Sequence, residues 1–314
     1  MRDSSVFYLS IIALLWSVLT LFSNNNHSKK EKQNGRSIET WLDENALDQG
    51  LSVQSVQSVT VIPNIIWTFW DGESLPLVVQ HCIGSWKKHN SSFDIRVLDR
   101  TTLKDYIPDG DQILNLPRAD GPAHLADFVR AHVIAEYGGI WMDASILCLG
   151  PITPLLKGNY DFIGFFMPNF TTQPKWPIIE NWFIAASPRS PFIDAWRDEF
   201  MRSNLFSSNA EYLKDLKERG IDLQNLPYPE YLTMHAAAQV VLQSSSNRYK
   251  ILALDATQGP FKYLSDNGWD SDKAFRELCK SPEKYGSYSL VKMRGSDRQH
   301  LEEHPTLFKC VQRL

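Results

Sequence analysis

Residues 119–149 read ADGPAHLADFVRAHVIAEYGGIWMDASILCL, and this run decides the fold class. Asp120 has the side chain of a helix N-cap, and Pro122 suits the first helical turn, where a missing N–H is no loss. Leu125, Val129, His132, Val133 and Glu136/Tyr137 then fall along one side at helical spacing. Gly138 supplies a C-terminal stop. Gly139 opens a short strand, Ile140-Trp141-Met142, that ends at Asp143. In an α/β sheet, a carboxylate at the carboxyl end of a strand lies where ligands bind. Asp127 and Arg130, three apart, are neighbours on a face away from the apolar stripe. Taken singly, each of these residues reads better as part of a surface ion pair or as a loop aspartate. Their joint register points to a site.

Working outward, Val59–Trp70 (VTVIPNIIWTFW) is β-branched and aromatic, as a buried strand should be. Leu77–His89 reads as an amphipathic helix, Asp94–Leu98 as a second strand and Thr101–Tyr106 as a short helix. Farther on, Phe162–Phe166 and Trp182–Ala186 are strand candidates. Pro191–Met201, Ala210–Arg219 and Tyr231–Gln243 read as helices. Strand, helix, strand in this order predicts an α/β fold with a mostly parallel, doubly wound sheet flanked by helices.

Upstream of this, Val6 to Phe22 (VFYLSIIALLWSVLTLF) is mostly apolar and uncharged, within the length range of a membrane span. Thr20-Leu21-Phe22-Ser23 is a poor cleavage site, so residues 1–22 are expected to form a tip and an uncleaved transmembrane signal anchor. Residues 23–58 are rich in Asn, Ser, Gln, Lys and Glu and read as a flexible stem, which leaves 59–314 as the folded domain. Arg2 lies on one side of the apolar segment and Lys29, Lys30, Lys32 and Arg36 on the other. By the positive-inside rule this places the domain in the cytosol. The anchor-plus-stem layout points instead to a single-pass type II Golgi protein, and the expectation follows the layout.

Composition excludes some classes. The chain is 43% hydrophobic and 22% charged with a net charge of −4, so it has no basic footprint and nucleic acid is not an expected partner. Cys82, Cys148, Cys279 and Cys310 lack zinc spacing. One or two disulfides and four buried thiols stay equally open. His81, His124 and His235 have no spacing for zinc or a triad and read as core or surface histidines. Sequons at Asn26, Asn90 and Asn169 occur at about the rate chance gives and decide nothing.

The helix with Ala126-Asp127-Phe128-Val129-Arg130, then Tyr137-Gly138-Gly139, Ile140-Trp141-Met142 and Asp143-Ala144-Ser145, resembles the glycosyltransferases that carry a DXD-type sugar-binding region. These include the capsular polysaccharide synthesis proteins, glycosyltransferase family 32 and, more distantly, the glucosyltransferase domain of large clostridial toxins. The Ile62-Pro63-Asn64-Ile65-Ile66-Trp67 strand and the Cys82…Ser85-Trp86-Lys87-Lys88 helix add to the likeness, which runs from about residue 60 to 190. It implies a GT-A-type fold for 59–314 and transfer of a hexose, with retention, from a UDP- or GDP-sugar to a glycan or glycolipid acceptor. By the same resemblance Trp67 or Trp70 would stack on the base, Asp127 would bind sugar or ribose hydroxyls, and Arg130 would hold sugar and phosphate. Tyr137 and Gly139 belong to the same donor-binding motif. Asp143, with Ser145, would bind Mn²⁺ or Mg²⁺ bridging the pyrophosphate.

A departing nucleoside diphosphate gathers negative charge, which a cation and basic side chains stabilise. Three later residues fit more loosely: Asn181 on the donor or acceptor side, the Gly259-Pro260 turn, and Lys292 near the pyrophosphate. Ser145 stands where Asp-x-Asp has its second carboxylate, and a hydroxyl is the weaker metal ligand. That departure keeps open a non-catalytic nucleotide-sugar- or glycan-binding protein and a subunit of a glycan-synthesis complex. Asp255 is the only loose candidate for a base of the kind inversion would need.

Overall fold

The computed structural model describes residues 61–107, 110–244 and 249–314. The anchor expected at 1–22 and the stem at 23–58 lie outside the described residues. Among the described residues, no helix is long and apolar enough to cross a membrane.

In chain order the main elements are β1 (Ile65–Phe69), α1 (Leu77–His89), β2 (Asp94–Leu98), α2 (Gly110–Leu114) and α3 (Pro122–Tyr137). They continue with β3 (Gly139–Met142), β4 (Ile146–Cys148), β5 (Phe162–Phe166), β6 (Ile179–Ala186), α4 (Pro191–Arg202), α5 (Asn209–Glu218) and α6 (Thr233–Gln243). The last are β7 (Ile251–Asp255), α7 (Lys262–Ser265), α8 (Ser271–Lys280), β8 (Leu290–Lys292), α9 (Gly295–Glu303) and α10 (Pro305–Val311). Among the described residues the main sheet has six strands in the order β2-β1-β3-β6-β5-β7, and β4 pairs with β8 in a separate two-stranded ribbon. The sheet is mixed α/β and mostly parallel, as expected, with one exception. Strand β6 runs antiparallel to both β3 and β5, so the sheet departs from a strictly parallel, doubly wound one.

Both faces of the sheet are covered, which explains why its central strands are apolar without alternation. Ile66 and Ile140, paired in register, point into one core with Val78, Cys82 and Trp86 of α1. Trp67 and Trp141, the next pair, point into the opposite core with Leu125, Phe128 and Val133 of α3. Burying each such large side chain contributes roughly 1.5–3 kcal/mol. Helix α1 is also pinned by polar contacts. Trp86 Nε1 donates to the Ile146 carbonyl at 2.6 Å, and Ser85 Oγ accepts from the Cys148 amide at 2.9 Å. Asn90, 3% exposed, accepts from the Ile152 amide at Oδ1 at 2.8 Å and donates from Nδ2 to Cys148 Sγ at 3.9 Å, so its sequon lies in the interior.

The helix start differs from the expectation. Gly121, not Asp120, is the N-cap of α3, because the Asp120 carboxylate pairs instead with His124 Nδ1 at 2.7 Å. Its end is as expected: Gly138 and Gly139 have φ of 61° and 92°. A Cβ on Gly138 would run into the Pro188 backbone, and one on Gly139 would sit 2.7 Å from the Ile65 carbonyl. Glycine here reverses the chain and lets β3 approach β1. Cys279 and Cys310 form a disulfide, whereas Cys82 and Cys148 are buried free thiols. Burial pushes the Cys82 thiol up to about 12.

Candidate donor-binding site

Four elements converge at the carboxyl end of β3. Helix α3 carries Asp127 and Arg130, and the chain leaving β3 carries Asp143, whose amide donates to the Trp182 carbonyl at 2.9 Å. Because β6 is antiparallel, with Phe183 opposite Met142, its early residues Glu180, Asn181 and Trp182 arrive at this same end. The β4–β8 ribbon brings Lys292 opposite Ile146. The Lys292 amide donates to the Pro260 carbonyl at 2.9 Å, so the Gly259-Pro260 turn braces it.

Arg130 is the hub. Its Nη1 lies 2.9 Å from Asp127 Oδ1 and its Nη2 donates to Asp143 Oδ1 at 3.1 Å. The guanidinium stands 5.0 Å from the Trp141 ring centroid. Asn181 Nδ2 donates to Asp127 Oδ1 at 3.0 Å. Trp141 Nε1 donates to Asp143 Oδ1 at 3.0 Å, and Lys292 Nζ donates to Asp143 Oδ2 at 2.9 Å and to Ser145 Oγ at 2.8 Å. Asp127, Arg130 and Lys292 are 9%, 5% and 8% exposed. Helix α3 buries nearly its whole circumference, so Asp127 and Arg130 form an interior pair and not a surface one.

The two carboxyl groups are driven apart. Burial raises Asp127 above its ordinary value, and the opposing pull of Arg130 does not offset it. Asp143 is buried too, but the charges of Lys292 and Arg130, with hydrogen bonds from Lys292 and Trp141, outweigh that and hold it below its ordinary value. Opposed shifts in neighbouring carboxyl groups are what a functional constellation produces. Three buried atoms at this end, Arg130 Nε, Trp182 Nε1 and His235 Nδ1, have no hydrogen-bond partner among the described residues. His235 Nε2 lies 3.8 Å from Glu180 Oε2. Buried polar groups are nearly always paired, so such exceptions invite a ligand.

Of the residues expected from the sequence, Asp127, Arg130, Asp143, Ser145, Asn181 and Lys292 come together. Trp67, Tyr137 and Gly139 do not. Trp67 is fully buried, donates Nε1–H to the Gly138 carbonyl at 2.9 Å and packs against Tyr106 and Tyr137. It has no face to offer a base. Tyr137 donates its hydroxyl to the Tyr106 carbonyl at 2.7 Å, and Gly139 serves the backbone as described. Trp70, half-buried just past the carboxyl end of β1, keeps Arg298 over its ring at 5.1 Å and is the remaining stacking candidate. Sequence reasoning missed Trp141 as a site residue. Its position two before Asp143 in an extended strand was the available signal, since such residues share a face.

The expected divalent cation does not fit the residues present. Asp143 Oδ1 is taken by Arg130 and Trp141, and the Lys292 ammonium already lies between Asp143 Oδ2 and Ser145 Oγ. Two cations cannot share that position.

The family model for capsular polysaccharide synthesis proteins matches residues 18–214. The O-glycosyltransferase braB of Annulohypoxylon truncatum is 27% identical over 170 residues, covering 48% of this chain and 39% of that protein. The probable glycosyltransferase FCK3 of Fusarium pseudograminearum is 26% identical over 168 residues, 48% of this chain and 41% of its own length. The chain therefore spans about two fifths of the length of these two relatives. A solved structure, the PaToxG glycosyltransferase, aligns with a TM-score of 0.37 and 12% identity over 60% of this chain and 88% of that one. Since the family model spans more than half of the chain, the protein belongs to the capsular polysaccharide synthesis protein family, a glycosyltransferase grouping by the names its relatives carry.

Proposed function

We propose that the protein is a GT-A-type glycosyltransferase that moves a hexose from a UDP- or GDP-sugar to a glycan or glycolipid acceptor, with retention. The observation that carries this reading is the convergence of two buried cations, Arg130 and Lys292, on Asp143 at the carboxyl end of β3. Charge-assisted hydrogen bonds from such groups suit a diphosphate and strengthen as it departs. In this reading Asp127 and Asn181, joined at 3.0 Å, hold sugar hydroxyls, to which a carboxyl and an amide offer both acceptors and donors. In the transfer, the bond from the anomeric carbon to the diphosphate oxygen breaks and a bond to the acceptor oxygen forms. The acceptor proton passes to the departing phosphate. Asp255, the one base considered for inversion, instead caps a turn, its Oδ1 accepting from the Thr257 amide at 2.8 Å and hydroxyl at 2.6 Å.

A membrane-anchored, type II Golgi placement is part of this reading and rests on the sequence layout alone, an apolar 6–22 segment followed by a polar 23–58 stretch. Protease digestion of the domain in intact microsomes would count against it. A non-catalytic nucleotide-sugar binder is the second reading, favoured by Ser145 in place of a carboxylate. A screen of nucleoside diphosphate release from UDP- and GDP-sugars by the full chain separates the two. Release from one donor is expected; binding of a nucleotide without release from any donor in the presence of acceptor glycans would favour the binder.

A further inference from the structure

The position between Asp143 and Ser145 holds an ammonium. Lys292 Nζ donates to Asp143 Oδ2 at 2.9 Å and to Ser145 Oγ at 2.8 Å. Its backbone is fixed on three sides. The Lys292 amide donates to Pro260, Tyr263 Oη donates to the Lys292 carbonyl at 3.1 Å, and the next amide, Met293, donates to the Ser145 carbonyl at 3.0 Å. The side chain is therefore built into the β4–β8 ribbon and is not a mobile surface lysine. An ammonium has three N–H donors, and two are used here, which leaves one for an incoming oxygen.

The charges bear on the ligand as well. Asp143 carries one negative charge and meets two cations, Lys292 and Arg130. The Ser145 hydroxyl accepts the Lys292 hydrogen bond and adds no charge.

We infer that Lys292 takes the place of the divalent cation, so that its ammonium, held between Asp143 and Ser145, meets the diphosphate of the donor and binding needs no metal. This rests on the proposed function, because it assumes that a nucleoside diphosphate occupies the site.

The test is calorimetric titration of UDP and of GDP into the full-length protein, once in EDTA and once in Mn²⁺, with Mn²⁺ alone titrated as a third run. The inference predicts that one nucleotide binds with the same affinity in EDTA as in Mn²⁺, and that Mn²⁺ alone gives no heat of binding. Lys292→Met should weaken that nucleotide by about tenfold to a hundredfold, the loss of one charged hydrogen bond. Adding Ser145→Asp to Lys292→Met should restore binding only when Mn²⁺ is present. Nucleotide binding by the wild type that disappears in EDTA would overturn the inference and leave the proposed function standing. If neither nucleotide binds under either condition, the donor site itself is wrong and the inference falls with it. The wild-type comparison decides by itself should Lys292→Met fail to fold.

Discussion

Replacing Arg130 with methionine keeps the length and apolar stem of the side chain and removes its charge. The guanidinium is buried and joins two carboxylates, Asp127 at 2.9 Å and Asp143 at 3.1 Å. Removing one partner of a buried ion pair costs about 3–5 kcal/mol, because the other charge is left uncompensated. Asp143 would keep Lys292 at 2.9 Å and Trp141 at 3.0 Å. The loss therefore falls on Asp127, and the expected cost is at the lower end, about 3 kcal/mol. Adding Asp127→Asn removes the stranded charge, so the double variant should be more stable than Arg130→Met, with a coupling of about 1–3 kcal/mol. Urea unfolding of the four proteins at pH 7 measures this. The deficit should shrink on acidification, since protonated carboxyls no longer need the guanidinium. An Arg130→Met protein within about 0.5 kcal/mol of wild type, the range of ordinary surface substitutions, would refute the buried-hub argument.

Asp143 lies below its ordinary 3.8 in the folded protein, so its ionised form stabilises the fold at pH values above the unfolded value. That contribution is lost as pH falls through the folded value. The stability gap between wild type and Asp143→Asn should accordingly be flat near neutrality and narrow in acid; a gap that widens would contradict it. Gly139→Ala places a Cβ 2.7 Å from the Ile65 carbonyl at a φ of 92°. It should destabilise by about 1–3 kcal/mol or more in thermal or urea unfolding, and an unchanged midpoint would argue against the close approach of β1 and β3. Trp67→Phe strands the Gly138 carbonyl and should cost about 1–3 kcal/mol in stability while leaving nucleotide affinity unchanged. A tenfold loss of affinity in a folded Trp67→Phe protein would return Trp67 to the donor site.

What was legible in the sequence follows from where the signals are local. Helix Leu77–His89 and strand Asp94–Leu98 were readable to the residue, because amphipathic period and β-branched content act over a few neighbours. The direction of β6 was not, since a strand's periodicity is the same whichever way it runs. The β4–β8 ribbon was also invisible. Its strands have three residues each, too few for a period, and its key contact joins positions 147 apart in sequence. Lys292 could therefore be placed near the pyrophosphate only by resemblance, and its bond to Ser145 could not be foreseen. Trp67 was misread because an aromatic residue in a strand looks the same whether it packs or stacks. Asp127 and Arg130 were placed together correctly by their spacing, but their burial depends on helices packed from later in the chain.

In the proposed donor site Asp143 holds Arg130 and Lys292 in place. Nucleoside diphosphate release from the donor sugar by wild type and by Asp143→Ala, with near-ultraviolet circular dichroism showing that both are folded, measures that role. Release should fall by about a hundredfold or more in the variant, the scale of losing preorganised charge stabilisation of the transition state. Equal turnover by a folded Asp143→Ala protein would contradict it.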